Sequence, residues 1–481
     1  MRSGIDFVHT GYGANGGRSA KALLCALAVG MLGSAAPAPA DVQDRLDALS
    51  ASGGTLRLPE GARTVVTRGI VVPAGVTLDL NGGELLAILD EANEAGVRLL
   101  TGSSLLNGAV TVVSRGVPGI QAGAHAPVLI GALLGDSPDH RRPSPFEAPA
   151  HWRVSGVTLR SDKLVQVDGI GLGAPAVQVM GGAHHGIIED IQVPDSSRMA
   201  GGVFLDWGMV GPIRSDDVAA SARHYAAGRA YTTHPHNITI RRISIGRLSR
   251  RAIGEAGSTA VRLSGIKDVT VEDIQAKLVT EAGFRFTAGD LGFEFAREAD
   301  RERAHQGISL NGMMIDSAGA YLVRTDSYAD NVGRAAAAGY RPRLSPIATT
   351  DIAVRNASGR WDGTGAPGWG LRVDHQRGGS YTRLDAGGFR IGFAIDEQAN
   401  DIVLERLHAR GSLDAALLVG HPTRPPRRIR VMGVETSGNA TGARVARLER
   451  SEDVAIERSS SLQFRRSPQA VRVSIDADHP N

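Results

Sequence analysis

Short segments of alternating apolar residues recur along this 481-residue chain at a spacing too small for helices to lie between them. One set, often opened by Asn, Asp or Gly, reads Asn237-Ile-Thr-Ile-Arg-Arg-Ile, Asp268-Val-Thr-Val-Glu-Asp-Ile and Gly307-Ile-Ser-Leu-Asn-Gly-Met. It continues with Asp351-Ile-Ala-Val-Arg-Asn-Ala, Asp401-Ile-Val-Leu-Glu-Arg-Leu, Arg428-Ile-Arg-Val-Met-Gly-Val and Asp453-Val-Ala-Ile-Glu-Arg-Ser. A second set comprises Ala176-Val-Gln-Val-Met180, Gly202-Val-Phe-Leu-Asp206, Ala260-Val-Arg-Leu-Ser264 and Gly283-Phe-Arg-Phe-Thr287. Its later members are Tyr321-Leu-Val-Arg-Thr-Asp326, Gly370-Leu-Arg-Val-Asp374, Gly392-Phe-Ala-Ile-Asp396 and Ala416-Leu-Leu-Val-Gly420. Apolar residues at every second position give each strand one buried face. Ser264 to Thr287 is 23 residues, Asp374 to Asp396 is 22 and Asp396 to Gly420 is 24. A period of that length holds two or three short strands. Such a unit buries its apolar face only by stacking on its neighbours, as a coil of a parallel β-solenoid. Longer periods read as the same coil with a loop inserted. Helical spacing is confined to 42–50, 217–227 and 295–304.

Composition agrees with this. The chain has 61 glycines and only 4% aromatic residues, which suits many short strands and turns and argues against a helical bundle. Residues 1–40 read as a secretory signal. Arg18 and Lys21 precede an apolar run over 22–36, and Ala38-Pro39-Ala40 offers a small-residue cleavage site. No other segment is long and apolar enough to span a membrane. The expectation is a secreted or periplasmic catalytic domain over 41–481. Removal of Arg2, Arg18, Lys21 and Asp6 lowers the formal charge from +3 to +1, which gives no general reason to expect nucleic acid or an anionic membrane as partner. Cys25 leaves with the signal, so the remaining chain has no disulfide, thiolate nucleophile or cysteine-ligated metal.

The opening coils, Gly53-Gly-Thr-Leu-Arg-Leu-Pro-Glu-Gly61 and Gly69-Ile-Val-Val-Pro-Ala-Gly-Val-Thr-Leu-Asp-Leu-Asn81, resemble those of the pectate lyase-like superfamily. The resemblance implies an all-β fold: a single right-handed parallel β-helix with an N-terminal cap and loop insertions on one side. It also implies a polysaccharide or oligosaccharide substrate, cleaved by lyases or glycoside hydrolases. The Asn-Thr-Asp, Asp-Asp, Gly-His-Gly and Arg-Ile-Lys signature of polygalacturonases is absent, as is the Asp-Pro-His-Asp signature of alginate epimerases.

If the apolar residues of the second strands point inward, two files point outward. One reads Gln178, Phe204, Arg262, Arg285, Arg324, Arg372, Ala394, Leu418; the other reads Met180, Asp206, Ser264, Thr287, Asp326, Asp374, Asp396, Gly420. Coils stack about 4.8 Å apart, so an arginine ladder runs beside an aspartate-rich one. Insertions follow Asp206, Thr287 and Asp326 at the same corner, where they are expected to wall a groove. The first carries Trp207, a candidate sugar platform, and ends at His234-Pro-His236. The competing readings are plain: cross-strand ion pairing for the ladder, imidazoles bonding backbone for His234 and His236, a structural coil corner for His184-His185, and a solvated turn for Asp396-Glu397.

Two chemistries suit the files. A lyase neutralises a uronate carboxylate, abstracts the neighbouring ring proton and expels the glycosidic oxygen. The resemblance implies an arginine or lysine base, which makes Arg372 and Arg324 the base or neutraliser candidates; His375 is the proton donor if its ring reaches the groove. Asp206, Asp326 and Asp374 are then arginine-orienting groups or ligands of a bound Ca²⁺. A hydrolase instead needs two carboxyls, for which Asp374, Asp396 and Asp326 on successive coils are candidates. In either case Arg262, Arg285, Asp206, Trp207, His234 and His236 are substrate-binding candidates, and the arginines favour an anionic glycan. A β-solenoid that only binds carbohydrate or acts as an adhesin is the non-catalytic alternative.

Overall fold

In the longest strands, each repeat motif bends the chain twice. The opening residue sits in the left-handed region: φ is 54° at Asn237, 50° at Asp268, 64° at Gly307 and 59° at Asp401. A second left-handed residue follows five positions later, at Arg242, Asp273, Gly312 and Arg406. Asn, Asp and Gly tolerate this conformation best, which explains their place at the head of the motif. The second bend also preserves the core. Ile238 and Ile240 point in, Arg241 and Arg242 both point out, and Ile243 and Ile245 point in again. One extra residue thus turns the strand around a corner without exposing an apolar side chain.

The computed structural model describes residues 41–91, 94–116, 124–131, 148–167, 170–210, 227, 231–250, 257–287, 306–326, 349–438, 445–457, 459 and 462–476. Among them two large parallel sheets run the length of the stack, one of 16 strands and one of 13. The first contains the long strands His236–Leu248, Lys267–Val279, Gln306–Ala318 and Thr349–Trp361 as successive neighbours. The second contains Pro175–Met180, Gly201–Asp206, Thr259–Ser264, Ala282–Thr287, Tyr321–Asp326, Trp369–Val373 and Ile391–Ile395 in that order. Alternating between the sheets, the chain forms a right-handed parallel β-helix.

Between the sheets lies one continuous apolar core of Val, Leu and Ile, joined by the fully buried Phe284, Phe286, Phe389 and Phe393. Each such side chain contributes about 1.5–3 kcal/mol relative to exposure. The expected N-terminal helix is present as Val42–Ala48, with the Asp41 side chain accepting from Gln43 N. Val42 and Leu46 are buried, and the Gln43 amide exchanges two hydrogen bonds, of 3.0 and 2.8 Å, with the Val71 backbone. The helix therefore covers the open strand edge of the first coil. The helical reading at 295–304 and residues 1–40 lie outside the described residues, as does 217–227 apart from residue 227. No helix among the described residues is long and apolar enough to cross a membrane.

Candidate functional site

Strand pairing places the two outward files as the alternation requires. Gln178, Phe204, Arg262, Arg285, Arg324, Arg372, Ala394 and Leu418 are consecutive partners across seven coil contacts. Met180, Asp206, Ser264, Thr287 and Asp326 form the neighbouring file. It continues through Asp374, whose N–H donates to Thr325 O at 3.3 Å, and Asp396, whose N–H donates to Val373 O at 2.9 Å. The side chain of Asp326 lies outside the described residues.

Arg372 is the centre of the arrangement. Its Nε lies 3.2 Å from Asp374 Oδ2 and its Nη2 lies 3.1 Å from Asp396 Oδ2, so one guanidinium joins carboxylates of two successive coils. The Asp374 side chain is 8% exposed, Asp396 17% and Arg372 24%. Burial disfavours the guanidinium charge, but the two carboxylates and the Tyr321 hydroxyl outweigh it and hold the Arg372 pKa above its ordinary value.

A stack of rings and cations continues along the sheet. The Tyr321 ring lies parallel to Trp369, with centroids 5.5 Å apart. The Arg324 guanidinium is 4.7 Å from the Tyr321 centroid, and Arg372 and Arg390 are each 5.1 Å from that of Trp369.

At the other end, Asp206 accepts from Gln178 Nε2 and Arg262 Nη2, both at 2.8 Å, and Arg262 lies 4.2 Å over the Phe204 ring. Arg285 pairs with Glu281. Trp207 is half-buried, and the Cβ that Gly265 lacks would sit 2.8 Å from Trp207 Cβ. His234 Nδ1 bonds Gly265 O at 2.7 Å and His236 Nδ1 bonds His234 O at 3.0 Å, so both imidazoles do bond backbone. The insertion between Asp206 and His234 leaves and returns as an antiparallel ribbon, Gly208–Val210 against Tyr231–Thr233. The rest of that insertion apart from residue 227, and the two that follow Thr287 and Asp326, lie outside the described residues.

His375 and the residue after Asp396 belong to a different cluster. Around the corner from Arg372, His375 Nε2 is 3.5 Å from Glu397 Oε1, and Arg424 Nη1 is 2.8 Å from the same carboxylate. His421 Nε2 lies 3.8 Å from its other oxygen. Glu397 thus sits in a turn, half-buried, as the anion of this cluster. Burial pulls the His375 pKa below its ordinary value, with Glu397 opposing and Arg424 and His421 reinforcing that shift. Beside this cluster opens a cavity of about 580 Å³ lined by His375, Arg377, Gln398, Asn400, Arg424 and Arg428, among others. Sequence alternation missed Tyr321, Trp369, Glu397, His421 and Arg424. Tyr321 and Trp369 precede the aligned strand cores, and Trp369 is the residue that pairs with the unmatched first residue of the Tyr321 row.

Among the described residues, the aspartates of the file are engaged by other groups and offer few free oxygens to calcium. That ion takes about six to eight oxygen ligands. Asp206 is already bound by Gln178 and Arg262, and Asp374 and Asp396 share Arg372. The group of three metal-ligating side chains found among the described residues is made of imidazoles, His184, His185 and His236.

No family model matches this sequence, and no curated protein matches it. Solved structures to which it is similar include the catalytic unit of a thermostable GH87 alpha-1,3-glucanase from Streptomyces thermodiastaticus, at 15% identity and a TM-score of 0.46, covering 90% of this chain and 65% of that one. This chain therefore spans less than two thirds of that unit's length. Another is the surface protein and adhesin PfbA of Streptococcus pneumoniae, at 10% identity and a TM-score of 0.39, covering 90% and 94% of the two chains. A family 28 exopolygalacturonase of Yersinia enterocolitica has 9% identity and a TM-score of 0.39, with 91% and 75% covered.

Proposed function

We propose that this chain is a secreted or periplasmic carbohydrate-active enzyme that cleaves an anionic polysaccharide by β-elimination. The observation that carries the reading is the Arg372 fork, held between Asp374 and Asp396 beside the Tyr321–Trp369 ring pair. A fixed cation next to an aromatic face suits a sugar ring bearing a carboxylate or sulfate. Arg372 acts as neutraliser and not as base, because the neighbouring carboxylates favour its charged form. Tyr321, whose hydroxyl interacts with Arg372, takes the ring proton as its phenolate and passes it to the departing glycosidic oxygen, which restores the phenolate. His375 fits a proton donor poorly, since burial favours its neutral form. Asp374 and Asp396 position the guanidinium. Arg324 and Arg262 extend the cationic surface along the file.

A second reading, hydrolysis by Asp374 and Asp396, is favoured by their place on successive coils. A hydrolase needs one of the two carboxyls protonated at rest, whereas a shared guanidinium suits two anions. One assay separates them: incubation with a panel of uronate and sulfated polysaccharides, followed by absorbance near about 235 nm, where the unsaturated product of elimination absorbs. New reducing ends without that absorbance would make the protein a hydrolase. Binding to a glycan with neither signal would make it a non-catalytic carbohydrate-binding solenoid.

A further inference from the structure

Four histidines from three distant segments meet at one coil corner, beside the Asp206 end of the files. His184 is paired in parallel with Ala150 on one side and His236 on the other, which brings His151, His184, His185 and His236 onto adjacent coils. His184 Nδ1 and His185 Nδ1 face each other at 2.6 Å. The His184 ring stacks on His236 with centroids 4.8 Å apart and planes 17° apart. The His151 ring centroid is 5.1 Å from that of His185.

We propose that His184, His185 and His236 form a binding site for a borderline divalent transition metal, with Zn²⁺ as the type ion. One ligand nitrogen from each lies within 4.8 Å of the other two. Tetrahedral Zn–N bonds of about 2.0–2.1 Å place ligand nitrogens roughly 3.3 Å apart, so modest ring rotations close the set. His185 and His151 are exposed and His184 and His236 half-buried, which leaves room for such rotation. Carboxylates are absent from the group, so its donor set selects zinc, copper or nickel over calcium or magnesium.

The surroundings orient the rings as metal sites require. His236 directs Nδ1 to the His234 carbonyl at 3.0 Å, and His234 Nδ1 is in turn anchored on Gly265 O. That fixes Nδ1–H as donor in His236 and leaves its Nε2 lone pair for a metal. Asn237 Nδ2 meets His185 Nε2 at 3.1 Å, so the far side of that ring also has a partner while Nδ1 faces His184. Its amide can turn to accept from Nε2–H once Nδ1 is metallated. Three imidazoles leave the fourth position for water or His151.

The test uses untagged protein stripped with a chelator. Titration calorimetry with Zn²⁺ at pH 7.5 is expected to give one ion per chain with a Kd of about 1 μM or tighter. Co²⁺ should give the visible absorption of a low-coordinate nitrogen site. His184→Ala and His236→Ala should each weaken binding by about 100-fold or more, and Asn237→Ala by about 10-fold. His185→Ala removes an exposed ring, so it tests the site even if the half-buried substitutions disturb folding, which circular dichroism will reveal. Acidification to pH 5.5 should release the metal. The proposal is overturned if no saturable binding occurs below about 100 μM. It is equally overturned if His185→Ala and His236→Ala bind as the parent does, or if His408→Ala, at a remote site, abolishes binding.

Discussion

Lysine at position 372 keeps the charge and removes the fork. In the parent, Nη2 of one planar group donates to Asp396 at 3.1 Å while its Nε lies 3.2 Å from Asp374 as an ion pair. An ammonium is a single point donor and holds one of them well. A charge-assisted hydrogen bond contributes about 1.5–3 kcal/mol. With a quarter of the arginine exposed, the lower part of that range applies. The contact with the Trp369 ring adds about 0.5–1 kcal/mol. Arg372→Lys should therefore destabilise by about 2–3 kcal/mol, or an apparent Tm fall of roughly 2–3 °C for a chain of this size. Kinetics on a cleaved polysaccharide then separate neutraliser from base. A neutraliser replaced by lysine should show a raised KM and a kcat lower by about 10-fold. A base replaced by lysine should become more active at alkaline pH, since the free lysine pKa is about two units below that of arginine. Unchanged Tm and KM would refute the fork as an organising element, and an alkaline gain in activity would return the base role to Arg372.

Tyr321→Phe should lower kcat by about 10²–10⁴ while barely moving Tm, because the ring keeps its place on Trp369; a kcat within a factor of two of the parent would move the base elsewhere. Trp207→Ala should raise KM and cost no more than about 2 kcal/mol in urea unfolding, since the ring is only half-buried against Gly265; a larger loss would make it a core residue. Glu189 supplies a pH test on the opposite sheet. Burial alone would raise its pKa, but hydrogen bonds from Arg241 and Arg153 lower it from 4.5 to about 2. Its contribution is thus complete above the unfolded value and is lost as pH falls toward 2. Allowing for partly exposed arginine heads, Glu189→Gln should cost about 2–3 kcal/mol at pH 7 and almost nothing near pH 2; an equal cost at both would indicate packing instead.

The solenoid and the phase of its files were legible in the sequence because both rest on local rules. A strand alternates faces with period two, and a period of 22–24 residues leaves no other way to bury the apolar face. Once Val323 and Leu371 are assigned to the core, Arg324 and Arg372 must point outward and must be neighbours. Asn, Asp and Gly at the motif heads likewise mark the left-handed corners.

What each outward side chain then touches was decided by the tertiary structure. Stacking at about 4.8 Å lets one guanidinium reach its own coil and the next, so Arg372 is shared by Asp374 and Asp396. Asp396 and Glu397 are adjacent in sequence yet join different clusters, because the coil turns between them. Insertions sever sequence distance from spatial distance altogether. His184 and His236 are 52 positions apart and stack ring on ring, because the intervening loop leaves and re-enters the same corner. Alternation specifies which face a residue occupies; only the closed stack of coils specifies who stands beside it.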